Sequence, residues 1–72
     1  MSGPKDVVLA QTVRSLLDAN RQLGACMIKV KAQDGAIWLS GRVNTPGERA
    51  VAEQIARSVV GVRNVINELT VS

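Results

Sequence analysis

The sequence contains no histidine, tyrosine or phenylalanine, and it has one cysteine and one tryptophan. Without histidine, and with Cys26 standing alone, the ligand cluster that a zinc or haem site requires is missing, so neither a metal nor a cofactor is expected. A lone cysteine also forms no internal disulfide, which excludes a stapled secreted scaffold and leaves the compartment open. No apolar run approaches the roughly 20 residues that span a bilayer, and the opening residues Met1 to Asp6 lack the apolar stretch of a signal peptide. Walker-type and G-x-G-x-x-G phosphate loops are absent. The acidic residues are scattered, with no pair at a spacing suited to general acid and base work, and Ser40 has no base beside it. Cys26 reads as an apolar strand residue without an activating partner. No enzyme is expected.

What is present is aliphatic. The chain has 72 residues, 46% of them hydrophobic and 21% charged, which is the composition of one small folded domain over 1–72. Residues 1–4 read as a flexible terminus. The net charge of +3 favours an anionic partner without demanding one.

Apolar positions Leu9, Val13, Leu16 and Leu17 fall on one face of a helix running from Pro4 to Asn20. The segment Asn20 to Gly24 breaks that pattern. Strict alternation then sets in, with Cys26, Ile28, Val30 and Ala32 on one side and Met27, Lys29, Lys31 and Gln33 on the other. Asp34-Gly35 is a dipeptide favoured in two-residue hairpin turns, where both positions need positive φ. A second alternation follows, setting Ile37, Leu39, Gly41 and Val43 against Ala36, Trp38, Ser40 and Arg42. A two-residue turn pairs Gln33 with Ala36, and stepping outward it pairs Val30 with Leu39 and Lys31 with Trp38. Apolar meets apolar along the whole inner side, although each strand's alternation is independent of the other's.

Thr45-Pro46-Gly47-Glu48 is a helix start: Thr45 caps, Pro46 suits the first helical position and Glu48 completes a capping box. Val51, Ala52, Ile55, Ala56 and Val59 form the apolar stripe, and Arg49, Glu53 and Arg57 are expected on the solvated side. Gly61 ends the helix. Val65, Asn67, Leu69 and Val71 then alternate with Ile66, Glu68 and Thr70 in a third strand, parallel to the second. Its place beside the first or the second strand is left open by the pattern. Together these elements predict an α+β two-layer sandwich in the order α-β-β-α-β, a three-stranded mixed sheet with both helices on one face.

Three expectations concern single residues. Gly41, opposite Ile28, is expected to leave room on the buried face for a helix or for the Ile28 side chain. Asn67, polar on an inner face, is expected to bond backbone in a loop near Gly61. Trp38, the single aromatic ring, is placed away from the core. With Met27, Lys29, Lys31 and Arg42 it forms a candidate binding surface on the outer face. Cations beside a tryptophan suit a membrane interface, where Trp sits at headgroup level and Lys or Arg meets phosphate. They suit a protein interface as well, and the bland alternative is a solvated face on which the Lys31 stem covers the ring.

The stretch from Ile28 to Val71 resembles a BON domain, the small module named for bacterial osmotically induced and nodulation proteins. The resemblance is carried by Ile28 and Val30, by Asp34-Gly35 with Ile37, Leu39, Ser40, Gly41 and Val43, by Glu48-Arg49 with Ala52, Glu53, Ile55 and Ala56, and by Gly61-Val62 with Val65, Asn67, Leu69 and Val71. The helix from Pro4 fits the family's leading helix. This likeness implies a non-catalytic module, associated with the bacterial envelope and osmotic stress, for which attachment to phospholipid membranes is proposed. It implies a periplasmic or envelope location where a signal peptide has been removed. The partner expected is an anionic phospholipid surface bound peripherally. The alternative is an assembly module that binds a protein partner within a larger or oligomeric envelope protein, weak homo-oligomerisation included. Nucleic acid is not expected, because no G-x-x-G clamp is present and one ring is poor equipment for stacking bases.

Overall fold

The computed structural model describes residues 4–24 and 26–72. Its elements are α1 (Pro4–Ala19), β1 (Met27–Gln33), β2 (Ala36–Val43), α2 (Pro46–Arg57) and β3 (Asn64–Val71). The order is the expected one, and α1 begins at Pro4; the rest of the expected flexible terminus, residues 1–3, lies outside the described residues.

Both helices cover one face of the sheet. Val13 and Leu17 of α1 and Ala52 and Ala56 of α2 meet Ala32, Ile37, Leu39, Val43, Val65 and Leu69 in one buried cluster. The alanines of α2 let its axis come close to the sheet, while the large aliphatic groups sit on β2, the strand with neighbours on both sides. Two positions, one on a helix and one on a strand, depart from the expected burial. Leu16 is 43% exposed, because the buried line of α1 runs through Val13 and Leu17, and its place is taken by Leu23 at 2% from the loop after α1. Val71, expected inside, is 39% exposed where β3 runs past the core.

Asp34 and Gly35 have φ of 52° and 82°, the left-handed pair that a two-residue turn needs. The register that follows runs from Gln33 with Ala36 to Met27 with Arg42, as the alternation predicts. β3 lies beside β2 in parallel, giving the strand order β1-β2-β3. That leaves β1 and β3 as the two edges of the sheet.

Gly41 is required for a reason other than the one expected. Its φ is 122°, and a Cβ there would lie 1.9 Å from the Met27 carbonyl oxygen. The close neighbour is thus the backbone of β1, not a helix or the Ile28 side chain.

The turns are fastened by groups distant in sequence. Asp6, 6% exposed in the first turn of α1, accepts the Gly35 N–H at 3.4 Å. Arg63 N–H donates to the Gly35 carbonyl at 2.8 Å. At the start of α2, Thr45 Oγ1 accepts from Glu48 N–H at 3.1 Å. The Glu48 carboxylate takes the N–H of Asn44 at 2.7 Å, so the box closes one residue earlier than the usual form.

Candidate binding face

Joining the two registers gives the outer face as rows across three strands. Gln33, Ala36 and Asn64 form the first row, Lys31, Trp38 and Ile66 the second, Lys29, Ser40 and Glu68 the third, and Met27, Arg42 and Thr70 the last. Each of these side chains points away from the cluster that the helices cover. Trp38 is on the central strand and is half-buried by neighbours on both sides. Lys29, Lys31 and Arg42 are exposed, and Met27 is 79% exposed. Among the described residues the one ion pair is Arg57 with Glu53 at 3.2 Å, so the three cations of this face make no direct ion pair, and Glu68 is the one carboxylate that shares the face with them.

The five sequence-derived residues share the face but do not converge on one point. Lys31 and Trp38 line an open hollow of about 250 Å³ together with Gln33, Ser40 and Glu68. Lys29 sits one row further along. Met27 and Arg42 stand at the far end, four residues and about 13 Å from Trp38 along β2 at the usual strand rise. Gln33, Ser40 and Glu68 are not among the five candidates, although the alternation puts all three on the Trp38 face. What brought Glu68 into the hollow is the position of β3, which pattern alone left open.

The opposite flank of the sheet is built differently. Arg49, expected on a solvated face, reaches down to β3: Nε donates to the Leu69 carbonyl at 3.1 Å and Nη2 to the Asn67 carbonyl at 3.1 Å. Asn67 was expected to bond near Gly61; it instead donates from Nδ2 to the Arg49 carbonyl at 3.0 Å and to Glu53 Oε1 at 3.3 Å, and its Oδ1 accepts Leu69 N–H at 3.1 Å. The side chain of an inner position at the sheet edge thus faces the nearby helix, and the partly buried amide finds its partners there. These bonds occupy backbone groups that an edge strand would otherwise offer to a second chain.

Cys26, half-buried before β1, lies 3.7 Å from Glu48 Oε1 and 3.8 Å from the Gln22 carbonyl. Burial pushes its thiol pKa above the ordinary value, and the adjacent Glu48 charge pushes it the same way. The thiol is therefore held protonated, the opposite of what a nucleophile needs.

A two-layer α+β module with one sheet face left bare, basic and carrying the single Trp is the class that these features define. The chain belongs to the BON domain family, whose model matches residues 5–72. It is 33% identical over 64 residues to Osmotically-inducible protein Y of Escherichia coli (strain K12), an alignment covering 89% of this chain and 32% of that protein. The chain thus spans about a third of the length of that curated relative. Neither the family nor this relative is known as an enzyme.

Proposed function

We propose that this chain is a non-catalytic binding module that attaches peripherally to anionic phospholipid surfaces through its bare sheet face. The observation that carries this reading is the row Lys31, Trp38, Ile66, with Lys29 and Arg42 on the same side and no carboxylate paired to any of the cations. A basic residue near an anionic leaflet contributes about 1 kcal/mol. Three of them, offset by Glu68 on the same face, contribute about 2 kcal/mol, so attachment through one such domain is weak and is lost as salt shortens the screening length. Trp38, at headgroup depth, adds an anchor that salt does not weaken. Among the described residues no helix is long and apolar enough to cross a membrane, so this attachment is at the surface.

Co-sedimentation with vesicles tests it. Binding to vesicles containing anionic lipid, loss of that binding at high salt, and a blue shift of the Trp38 fluorescence on binding are expected. Equal failure to bind vesicles of every composition at low salt would sink the reading.

One feature favours a second reading, an assembly module that binds a protein partner. Among the described residues β1 has β2 as its one strand neighbour, whereas the outer side of β3 is engaged by Arg49 and Asn67.

A further inference from the structure

The two sheet edges are unequal, and the difference specifies a partner. In a hairpin closed by a two-residue turn, the residues flanking the turn exchange both of their hydrogen bonds, and such pairs recur at every second position. Lys29 and Lys31 therefore spend their backbone groups on Ser40 and Trp38 of β2, while Ile28 and Val30 turn theirs to the outer edge. Ile28 N–H is used by the Cys26 carbonyl at 3.2 Å, and Ala32 has a partner of its own. Among the described residues, the Ile28 carbonyl and both backbone groups of Val30 remain available to an added strand. On β3, by contrast, the Asn67 and Leu69 carbonyls and the Leu69 N–H are already taken.

We propose that the outer edge of β1 accepts an extended peptide segment as a fourth strand, and that Lys29 and Lys31 select a segment with acidic residues on the same face. This rests on the assembly reading and adds the chemistry of the partner. Strand addition supplies affinity through main-chain bonds and specificity through alternate side chains. Across an antiparallel pair, facing side chains lie about 5 Å apart, where opposite charges stabilise and like charges destabilise. A second copy of this chain is disfavoured by the same rule. Antiparallel self-pairing centred on Val30 sets Lys29 against Lys31 of the second copy on both sides, and a shift by one step centres it on Lys29 against Lys29. The partner is therefore a different segment, apolar on the helix-facing side and carrying Asp or Glu on the other.

The test uses this chain and two short capped peptides, one alternating valine with glutamate and one alternating valine with lysine, at concentrations where each stays monomeric. The acidic peptide is expected to bind about tenfold more tightly at low salt, from the changed sign of two cross-strand pairs. Its binding should slow hydrogen exchange at the Val30 amide and leave β3 amides unchanged. In the double variant Lys29→Glu/Lys31→Glu, whose two sites are both exposed, the preference should reverse. Trp38→Ala should leave peptide binding intact, which separates this edge from the membrane face. Val30 protection by both peptides with equal affinity would overturn the acidic selection while keeping an edge that pairs. Absence of Val30 protection with either peptide would overturn both the selection and the edge, and the lysines would then serve only to keep β1 from self-pairing.

Discussion

Arg49 and Asn67 hold one another reciprocally: Arg49 Nη2 donates to the Asn67 carbonyl at 3.1 Å, and Asn67 Nδ2 donates back to the Arg49 carbonyl at 3.0 Å. The same two side chains serve Leu69, Arg49 through its carbonyl and Asn67 through its N–H. This joint ties α2 to the edge of β3 and closes part of that edge at once.

Replacing Asn67 with Ala should therefore have two effects. Leu69 is 5% exposed, and an orphaned backbone N–H at such a site costs about 1–3 kcal/mol, read as a lower urea midpoint. The freed edge should also promote self-association, seen as concentration-dependent sedimentation. Arg49→Lys should lie between wild type and Asn67→Ala in stability, because one ammonium does not reproduce a fork that reaches two carbonyls.

Gly41→Ala should be the most damaging single-methyl change on the sheet. At φ 122° any Cβ is strained, and here it meets the Met27 carbonyl. Strain and overlap together cost about 3 kcal/mol or more, a large share of the stability on the order of 4–10 kcal/mol expected for 72 residues. Gly47→Ala is the control: in the first turn of α2 its nearest neighbour would be Thr45 Oγ1 at 3.7 Å. That change should be neutral or stabilise by up to about 1 kcal/mol. Urea denaturation of the two variants compares them directly.

Trp38 and Leu39 are neighbours on β2 with opposite fates. Leu39 is 0% exposed, and Leu39→Ala should cost about 2–5 kcal/mol. Trp38→Ala removes a half-buried ring from the bare face and should cost about 1–2 kcal/mol. If the face binds lipid, the smaller loss of stability should accompany the larger loss of vesicle binding. A Trp38→Ala penalty matching that of Leu39→Ala would show the ring to be core.

The Cys26 thiol titrates above its ordinary value of 9.0. Its folded pKa is raised by burial and then by Glu48, so the unfolded chain releases this proton first as pH rises. Above about pH 9 the folded state binds more protons than the unfolded one, and stability should fall with pH through that window. Cys26→Ser should flatten this slope, measured as urea midpoints between neutral and alkaline pH. Glu48→Gln should flatten it in part and speed alkylation of Cys26 at mildly alkaline pH.

Much of the fold was legible because its signals are local. The Asp34-Gly35 turn fixes which residues face one another, and period-two alternation fixes which face each occupies. From these two rules the pairing of Lys31 with Trp38 and the outward direction of Trp38 both follow. The start of α2 was equally legible from Thr45, Pro46 and Glu48, down to a one-residue difference in which amide the carboxylate takes. The candidate face was legible as a set of residues sharing a side, but not as a hollow. Glu68 reaches the Trp38 groove only once β3 is placed, and no rule of local pattern chooses its neighbour.

What the sequence by itself determined, then, is the identity of each element, the hairpin register and the division into a covered and a bare sheet face. All of these arise between residues a few positions apart, where turn geometry and periodicity act. Tertiary structure alone decided the position of β3, the burial of Asp6 against Gly35, the approach of the Met27 carbonyl to Gly41, and the engagement of Arg49 with Asn67. Each of those joins atoms far apart in the chain, through hydrogen bonds and contacts that form only after helix and sheet have closed on a common core. The inequality of the two sheet edges belongs to this second group, because an edge is a property of the assembled sheet.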